Sequence, residues 1–128
     1  MEAIMTATVQ EKRRYPRKLM EQPAEVLDND TGASLGMLED VSRGGFSLLT
    51  DQGVRPSEVR NVTLMLPGPQ GSTHMVSLIA ECIWCQPLSD RRGFAVGFLL
   101  KEINDQDAVA LNYFIRDYQV VAEEELVP

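Results

Sequence analysis

The sequence has no long hydrophobic run and no leader-like N-terminus. The apolar stretches "VTLMLP" and "MVSLIA" are far shorter than the roughly 18 residues that a membrane-spanning helix needs. The first eleven residues, "MEAIMTATVQE", contain neither the basic region nor the sustained apolar region of a secretory signal. We therefore expect no membrane span and a cytoplasmic location.

Cysteine and histidine are also scarce. The chain has two cysteines, Cys82 and Cys85, and one histidine, His74, which are too few for a disulfide framework or for a zinc site of about four ligands. The stretch "IAECIWCQ" is typical of a strand, and a strand directs side chains three positions apart to opposite faces. We interpret both cysteines as structural thiols and expect no bound metal.

Basic residues are fewer than acidic ones, and many of them lie in one short stretch of the sequence. The chain has 12 basic and 19 acidic residues, and five of the 12 lie in "KRRYPRK", residues 12–18. This stretch contributes +5 to a net charge of −7, so the other residues together carry −12. Such a surface repels long nucleic acids, and we expect neither DNA nor RNA as a partner. A small anion bound locally is compatible with this distribution, and the alternative is a solvated polybasic arm.

The residues that are present form a β pattern followed by one helical segment. Apolar runs at 24–28, 34–42, 45–50, 61–67, 73–85 and 93–100 are separated by turn-forming stretches such as "NDTG" and "GPQGS". Six short strands with tight links predict a mainly β domain, an antiparallel barrel or sandwich. After a cap at Asn104 or Asp105, apolar residues recur every three or four positions, which predicts an amphipathic helix docked on the sheet.

The basic stretch contains Arg13 and Arg17, four positions apart with Tyr15 and Pro16 between them. Proline disfavours a helix here, and an extended segment of four residues spans roughly 13 Å with both arginines on one side. Guanidinium groups bind phosphate oxygens and the guanine edge bidentately. Exposed charge pairs contribute only about 0.2–1 kcal/mol each, so tight binding of a small anion also needs a pocket.

A second motif, "DVSRGG", could supply that pocket. The carboxylate of Asp40 can accept hydrogen bonds from the Watson–Crick edge of guanine, Ser42 can bind a phosphate or the backbone, and Arg43 adds a guanidinium. Gly44 and Gly45 permit positive φ and leave room for a ligand. The alternative is a hairpin turn with local side-chain capping.

Together, the order and spacing of the two motifs resemble the PilZ domain family. An Arg-x-x-x-Arg motif precedes the first strand, and Asp-x-Ser-x-x-Gly follows 23 residues after Arg17, at Asp40, Ser42 and Gly45. The late segments "IWC" and "GFAVGFLL" resemble the closing strands of the family. The resemblance runs from about residue 11 to residue 118 and implies a six-stranded antiparallel β-barrel with a C-terminal α-helix. We predict a flexible segment at 1–11, one domain at 12–122 and an acidic tail at 123–128.

In that family the two motifs form a receptor site for the bacterial second messenger cyclic di-GMP. The resemblance implies that Arg13 and Arg17 clamp guanine and phosphate groups from a mobile loop, while the second motif holds the other side of the ligand. Lys12 and Arg14 lie where basic residues can accompany a stacked pair of messengers, so the stoichiometry stays open. Trp84 reads first as a half-buried barrel residue and also as a platform for a guanine. The predicted ligand site comprises Arg13, Arg14, Arg17, Asp40, Ser42, Arg43, Gly44, Gly45 and Trp84.

The expected function is a single-domain cyclic di-GMP receptor in motility or biofilm signalling. Ligand capture would order residues 8–18 and pass the signal to an unidentified protein partner. The alternative is a nucleotide-independent PilZ-like interaction module in motility or pilus assembly. The stretch "GPQGS" lacks the Gly-Lys-Ser/Thr ending of a P-loop, and no nucleophile pair is evident, so we expect neither an enzyme nor a cofactor other than the messenger itself.

Overall fold

Among the residues that the structure describes, the fold consists of seven strands and one long helix. The computed structural model describes residues 18–20 and 22–126. The strands are β1 (Lys18–Leu19), β2 (Glu25–Asp28), β3 (Ser34–Ser42), β4 (Gly45–Thr50), β5 (Val59–Pro67), β6 (Thr73–Pro87) and β7 (Phe94–Glu102). A short 3-10 turn, Pro69–Gly71, joins β5 to β6, and the helix α1 spans Asp105–Leu126.

Six of the strands close into an antiparallel barrel. The neighbours run in the order β3, β2, β5, β6, β7 and β4, and β4 pairs again with β3. The short β1 pairs with the end of β3, with Lys18 opposite Val41 and Leu19 opposite Asp40. This confirms the six-stranded barrel with a C-terminal helix, while β1 is a small addition that the sequence pattern did not indicate.

The barrel interior is filled by alternate residues of the strands, as a period of two requires. Val62 and Leu64 on β5 lie opposite Leu78 and Val76 on β6, and all four are buried. The rings of Phe46 and Phe98 stack with centroids 5.1 Å apart. The buried hydrophobic residues are Ala24, Val26, Leu38, Val41, Phe46, Leu48, Val54, Val62, Leu64, Leu66, Val76, Leu78, Ala80, Cys82, Val96, Phe98, Leu111 and Ile115.

A bulge in β6 overturns one expectation about the two cysteines. Cys82 pairs with Phe98 and Trp84 with Gly97, so Ile83 is an extra residue in β6. The extra residue shifts the alternation by one, and Cys85, opposite the buried Val96, faces the interior as Cys82 does. The prediction that the two side chains point to opposite faces was therefore wrong. Both thiols are free, and within residues 18–20 and 22–126 no group of His, Cys, Asp or Glu side chains is arranged to hold a metal.

The helix begins where the sequence predicts. Asn104 caps α1, because its side-chain oxygen accepts a hydrogen bond from the N–H of Asp107 at 2.8 Å. Leu111 and Ile115 bury the apolar face of the helix, and α1 contacts β6 and β1. In the part of the chain that the structure describes, no helix has the length and apolar character to cross a membrane.

Candidate ligand-binding face

The second sequence motif forms the hairpin between β3 and β4. Ser42 pairs with Gly45, which leaves Arg43 and Gly44 as a two-residue loop. The Ser42 hydroxyl accepts a hydrogen bond from the Gly44 N–H at 3.2 Å and donates one to the Gly45 carbonyl at 3.4 Å. The Leu100 N–H donates to the Gly44 carbonyl at 2.9 Å and ties the loop to β7. Ser42 therefore has the turn-capping role that the sequence left open as an alternative to ligand binding.

Gly45 is required for a reason other than the one predicted. Its φ is not in the positive region, so conformational freedom does not explain the glycine. A Cβ at this position would collide with the carbonyl oxygen of Phe98 on β7. The glycine is needed because two backbones approach closely here, and the positive φ that a glycine permits is not used at Gly45.

Asp40 lies on the outer surface of the barrel and is nevertheless buried. Leu38 pairs with Leu48 and Asp40 with Ser47, so Glu39 is an extra residue in β3. Leu38 is in the core, and strict alternation would also direct Asp40 inward. The bulge turns the carboxylate outward instead, as bulges near functional sites often do. The residue is 6% exposed.

Asp40 begins a row of four residues that lie side by side across four strands. Asp40 on β3 pairs with Ser47 on β4, Ser47 with Gly97 on β7, and Gly97 with Trp84 on β6. We call these four residues the outer row. Adjacent strands are about 4.8 Å apart, so the row extends about 14 Å along the sheet, a length suited to a nucleotide ligand.

Trp84 closes the other end of the outer row. The bulge at Ile83 turns its half-buried side chain outward, just as the bulge at Glu39 does for Asp40. The indole lies directly over Gly97, where a Cβ would collide with the indole nitrogen. Gly97 therefore leaves the space that the aromatic ring occupies, and one bulge marks each end of the row.

Sequence reasoning missed Ser47, the second member of the outer row. Its neighbours Phe46 and Leu48 are in the core, so Ser47 faces outward, yet it is only 3% exposed. Its hydroxyl oxygen has no hydrogen-bond partner among the residues that the structure describes. The one available signal was a serine between two core residues in "GFSLL".

The first sequence motif lies outside the described residues. Arg13, Arg14 and Arg17 all precede Lys18, the first residue described. The chain directly after Arg17 is attached to β3 through the β1 pairing, and the Met20 N–H donates to the Glu39 carbonyl at 3.0 Å. Arg43 is exposed at the hairpin tip, beside Gly44.

A cleft lies at the end of the barrel opposite the β3–β4 hairpin. This cleft of about 760 Å³ is bordered by the start of β3, the end of β4 and the β6–β7 loop, including Arg91 and Arg92. Its third arginine, Arg60, is paired with Asp28 at 3.0 Å and with Glu58 at 2.7 Å. None of the predicted site residues that the structure describes lines this cleft.

Comparisons with known proteins agree with the fold. A family model described as "PilZ domain" matches residues 11–117. The chain is similar to the Bacillus subtilis inhibitor of motility (MotI/DgrA), with 19% identity, a TM-score of 0.68 and coverage of 83% of this chain and 50% of that one. It is also similar to the PilZ domain of Escherichia coli YcgR, solved with c-di-GMP, with 16% identity, a TM-score of 0.67 and coverage of 89% and 96%. The chain thus spans half the length of MotI, and at these identities the likeness to solved structures shows the fold. A search of curated proteins gives no match.

Proposed function

The chain belongs to the PilZ domain family, and from that premise we propose that it is a receptor for cyclic di-GMP. The ligand is held between Arg13 and Arg17 on one side and Asp40 with the outer row on the other. The observation that carries the proposal is the β1–β3 pairing, which attaches the chain after the arginine motif to the strand that bears Asp40.

The pairing matters because the two motifs are far apart in sequence. Lys18 lies opposite Val41 and Leu19 opposite Asp40, and Arg17 is covalently bonded to Lys18. Consecutive Cα atoms are 3.8 Å apart, so the end of the arginine motif and the carboxylate are within reach of one nucleotide-sized ligand.

The chemistry of each group fits a guanine dinucleotide. Arg13 and Arg17 neutralise the two phosphodiester charges and can contact the O6/N7 edge of guanine. Asp40 accepts hydrogen bonds from the N1–H and N2–H groups of guanine. Trp84 offers an aromatic surface on which a base can stack. This division explains why a chain of net charge −7 concentrates five of its 12 basic residues in positions 12–18.

The response passes through the N-terminal segment to a protein partner. Because β1 contacts α1 as well as β3, a ligand that fixes the preceding arginines acts next to the helix. Val109 and Tyr113, one turn apart on α1, are exposed apolar residues and are candidates for a partner contact. MotI is an inhibitor of motility, and a role in motility is part of this proposal.

Isothermal titration calorimetry with cyclic di-GMP tests the receptor function. We expect the double variant Arg13→Ala/Arg17→Ala to bind at least 100-fold more weakly than the unmodified protein, because each charge-assisted contact contributes about 1.5–3 kcal/mol. The matched control is Arg91→Ala/Arg92→Ala, which removes the same charge from the β6–β7 loop and should leave the affinity unchanged.

Two outcomes would contradict the proposal. If the unmodified protein gives no binding heat, the nucleotide-independent interaction module becomes the better interpretation. If both double variants lose affinity equally, the arginines act through net charge and form no specific site.

A further inference from the structure

Ser47 has a buried hydroxyl group that the fold does not use. It is 97% buried, and its oxygen has no hydrogen-bond partner within the described part of the chain. A buried polar group without a partner destabilises a protein, and most such groups are paired. The exception therefore requires an explanation.

The position of the hydroxyl points to the ligand-binding face. Ser47 faces outward between Asp40 on β3 and Gly97 on β7, and Trp84 lies over Gly97. Its direction is set by its neighbours in the strand, because Phe46 and Leu48 both face the core. The unpaired oxygen thus lies in the middle of the outer row.

Thr63 shows what a structural hydroxyl looks like in the same barrel. Thr63 lies on β5, three strands from β4 in either direction, and it is similarly buried. Its hydroxyl is 2.7 Å from Asn29 Oδ1 and 2.8 Å from the Ser77 hydroxyl. The fold supplies two partners for Thr63 and none, among the described residues, for Ser47.

We propose that Ser47 is a further ligand-binding residue, whose hydroxyl forms a hydrogen bond with a purine base of the dinucleotide lying between Asp40 and Trp84. The proposal rests on the proposed cyclic di-GMP receptor function. A base fits this position better than a phosphate, because the adjacent Asp40 carboxylate repels a phosphate and the adjacent indole favours stacking. A hydroxyl both donates and accepts, so it can pair with either kind of atom on a base edge.

The decisive experiment measures affinity and stability on the same variants. Ser47→Ala should weaken cyclic di-GMP binding about three- to tenfold, the effect of one neutral hydrogen bond. The thermal midpoint of the ligand-free variant should be unchanged or higher, since no hydrogen bond is lost within the fold. The control Thr63→Val should do the reverse, lowering the midpoint of the ligand-free protein and leaving the affinity unchanged.

Several results would overturn the inference. Binding by Ser47→Ala within twofold of the unmodified protein would show that the hydroxyl does not contact the ligand. A lowered midpoint like that of Thr63→Val would make the hydroxyl structural. If the unmodified protein does not bind cyclic di-GMP, the proposed receptor function is wrong and this inference is wrong with it. If the unmodified protein and Ser47→Ala bind equally well, only the inference about Ser47 is wrong.

Discussion

Two sides of the barrel each bury one carboxylate and one hydroxyl, and the two hydroxyl groups differ in their hydrogen bonding. On the β2–β5 side these are Asp28 and Thr63. Asp28 accepts hydrogen bonds from Arg60 at 3.0 Å and from the Asp30 N–H at 2.8 Å, and the Thr63 hydroxyl has two partners. On the β3–β4 side, Asp40 and Ser47 lie opposite each other across adjacent strands, and the Ser47 hydroxyl has no partner in the described ranges.

The difference separates a hydroxyl that maintains the fold, that of Thr63, from one without a partner among the described residues, that of Ser47. Buried polar groups stabilise a structure only when their hydrogen-bonding capacity is filled. On the β2–β5 side, other residues of the chain supply the hydrogen-bond partners of Asp28 and Thr63. Substitutions that remove these hydrogen bonds should therefore change the stability of the protein and leave its ligand affinity unchanged. On the β3–β4 side, the Ser47 hydroxyl has no hydrogen-bond partner among the described residues, and it lies in the same row as Trp84. Groups that do not stabilise the fold in this way are expected at functional sites.

The largest effect on stability should come from Gly45 on the β3–β4 side. In Gly45→Ala the new Cβ collides with the Phe98 carbonyl oxygen, so β4 and β7 must separate. We expect a loss of about 3 kcal/mol in the free energy of unfolding, at the upper end for overpacking, measured by urea denaturation.

Gly53→Ala is the matched control for this prediction. The nearest atoms to a Cβ at Gly53 are 3.6 Å away, which is ordinary contact distance, and its φ is not positive. That variant should be neutral or more stable by about 0.4–1 kcal/mol, through the unfolded chain. Equal stability of the two variants would show that the close approach of β4 and β7 can relax.

Much of the fold could be predicted from the sequence, because apolar runs of strand length are separated by turn-forming residues. The predicted runs 34–42 and 45–50 coincide with β3 and β4, and the helix begins after Asn104, one of the two predicted caps. This pattern predicted six antiparallel strands in a barrel or sandwich, and the resemblance to the PilZ domain family implied the barrel. The predicted boundaries of the N-terminal segment and the acidic tail stay predictions.

The outer row could not be predicted, because it depends on two irregularities. Extra residues at Glu39 and Ile83 turn Asp40 and Trp84 outward, whereas strict alternation after Leu38 and Cys82 directs them inward. The alternation of apolar and polar residues in a single sequence does not show where a bulge lies. Ser47 becomes a candidate site residue only once its pairing with Asp40 is known and its hydroxyl is seen to lack a partner among the described residues.

A smaller effect on stability is expected from Arg60 on the β2–β5 side. Its guanidinium bonds Asp28 at 3.0 Å and Glu58 at 2.7 Å, and Arg60→Ala leaves the buried Asp28 without its cation. Breaking a buried pair costs about 3–5 kcal/mol, and because the Arg60 side chain is 23% exposed we expect about 2 kcal/mol by denaturant unfolding. The affinity for cyclic di-GMP should not change.

The control for Arg60→Ala is Lys101→Ala. Lys101 pairs with Glu81 at 3.3 Å and is 46% exposed, so its loss should cost less than about 1 kcal/mol. A reduced affinity for cyclic di-GMP in Arg60→Ala would contradict the separation between the two sides of the barrel.

The smallest predicted effect is the loss of stability at high pH when the buried Cys82 thiol on β6, two residues before Trp84, ionises. The Cys82 thiol donates weak hydrogen bonds to the Trp84 and Val54 carbonyls, and burial, with a smaller contribution from Cys85, raises its pKa. The folded state therefore holds this proton more tightly than the unfolded state, whose thiol ionises near pH 8.5. The resulting stability is fully present below about pH 8.5 and is lost as the pH rises further.

Unfolding in urea under reducing conditions at pH 7.5 and pH 9.5 measures this contribution. The unmodified protein should lose about 1 kcal/mol more between the two values than Cys82→Ala, which cannot ionise at this position. Equal losses in both proteins would mean that the Cys82 thiol ionises as readily in the folded chain as in the unfolded chain.

The β2–β5 side should respond to acid instead of alkali. Hydrogen bonds from the Arg60 side chain and the Arg55 N–H lower the pKa of Glu58. The contribution of Glu58 to stability is therefore present at neutral pH and is lost as the pH falls below about 4.3. Alkali thus weakens β6 near Trp84 and acid weakens the β2–β5 side, because a buried thiol and a paired carboxylate change charge at opposite ends of the pH range.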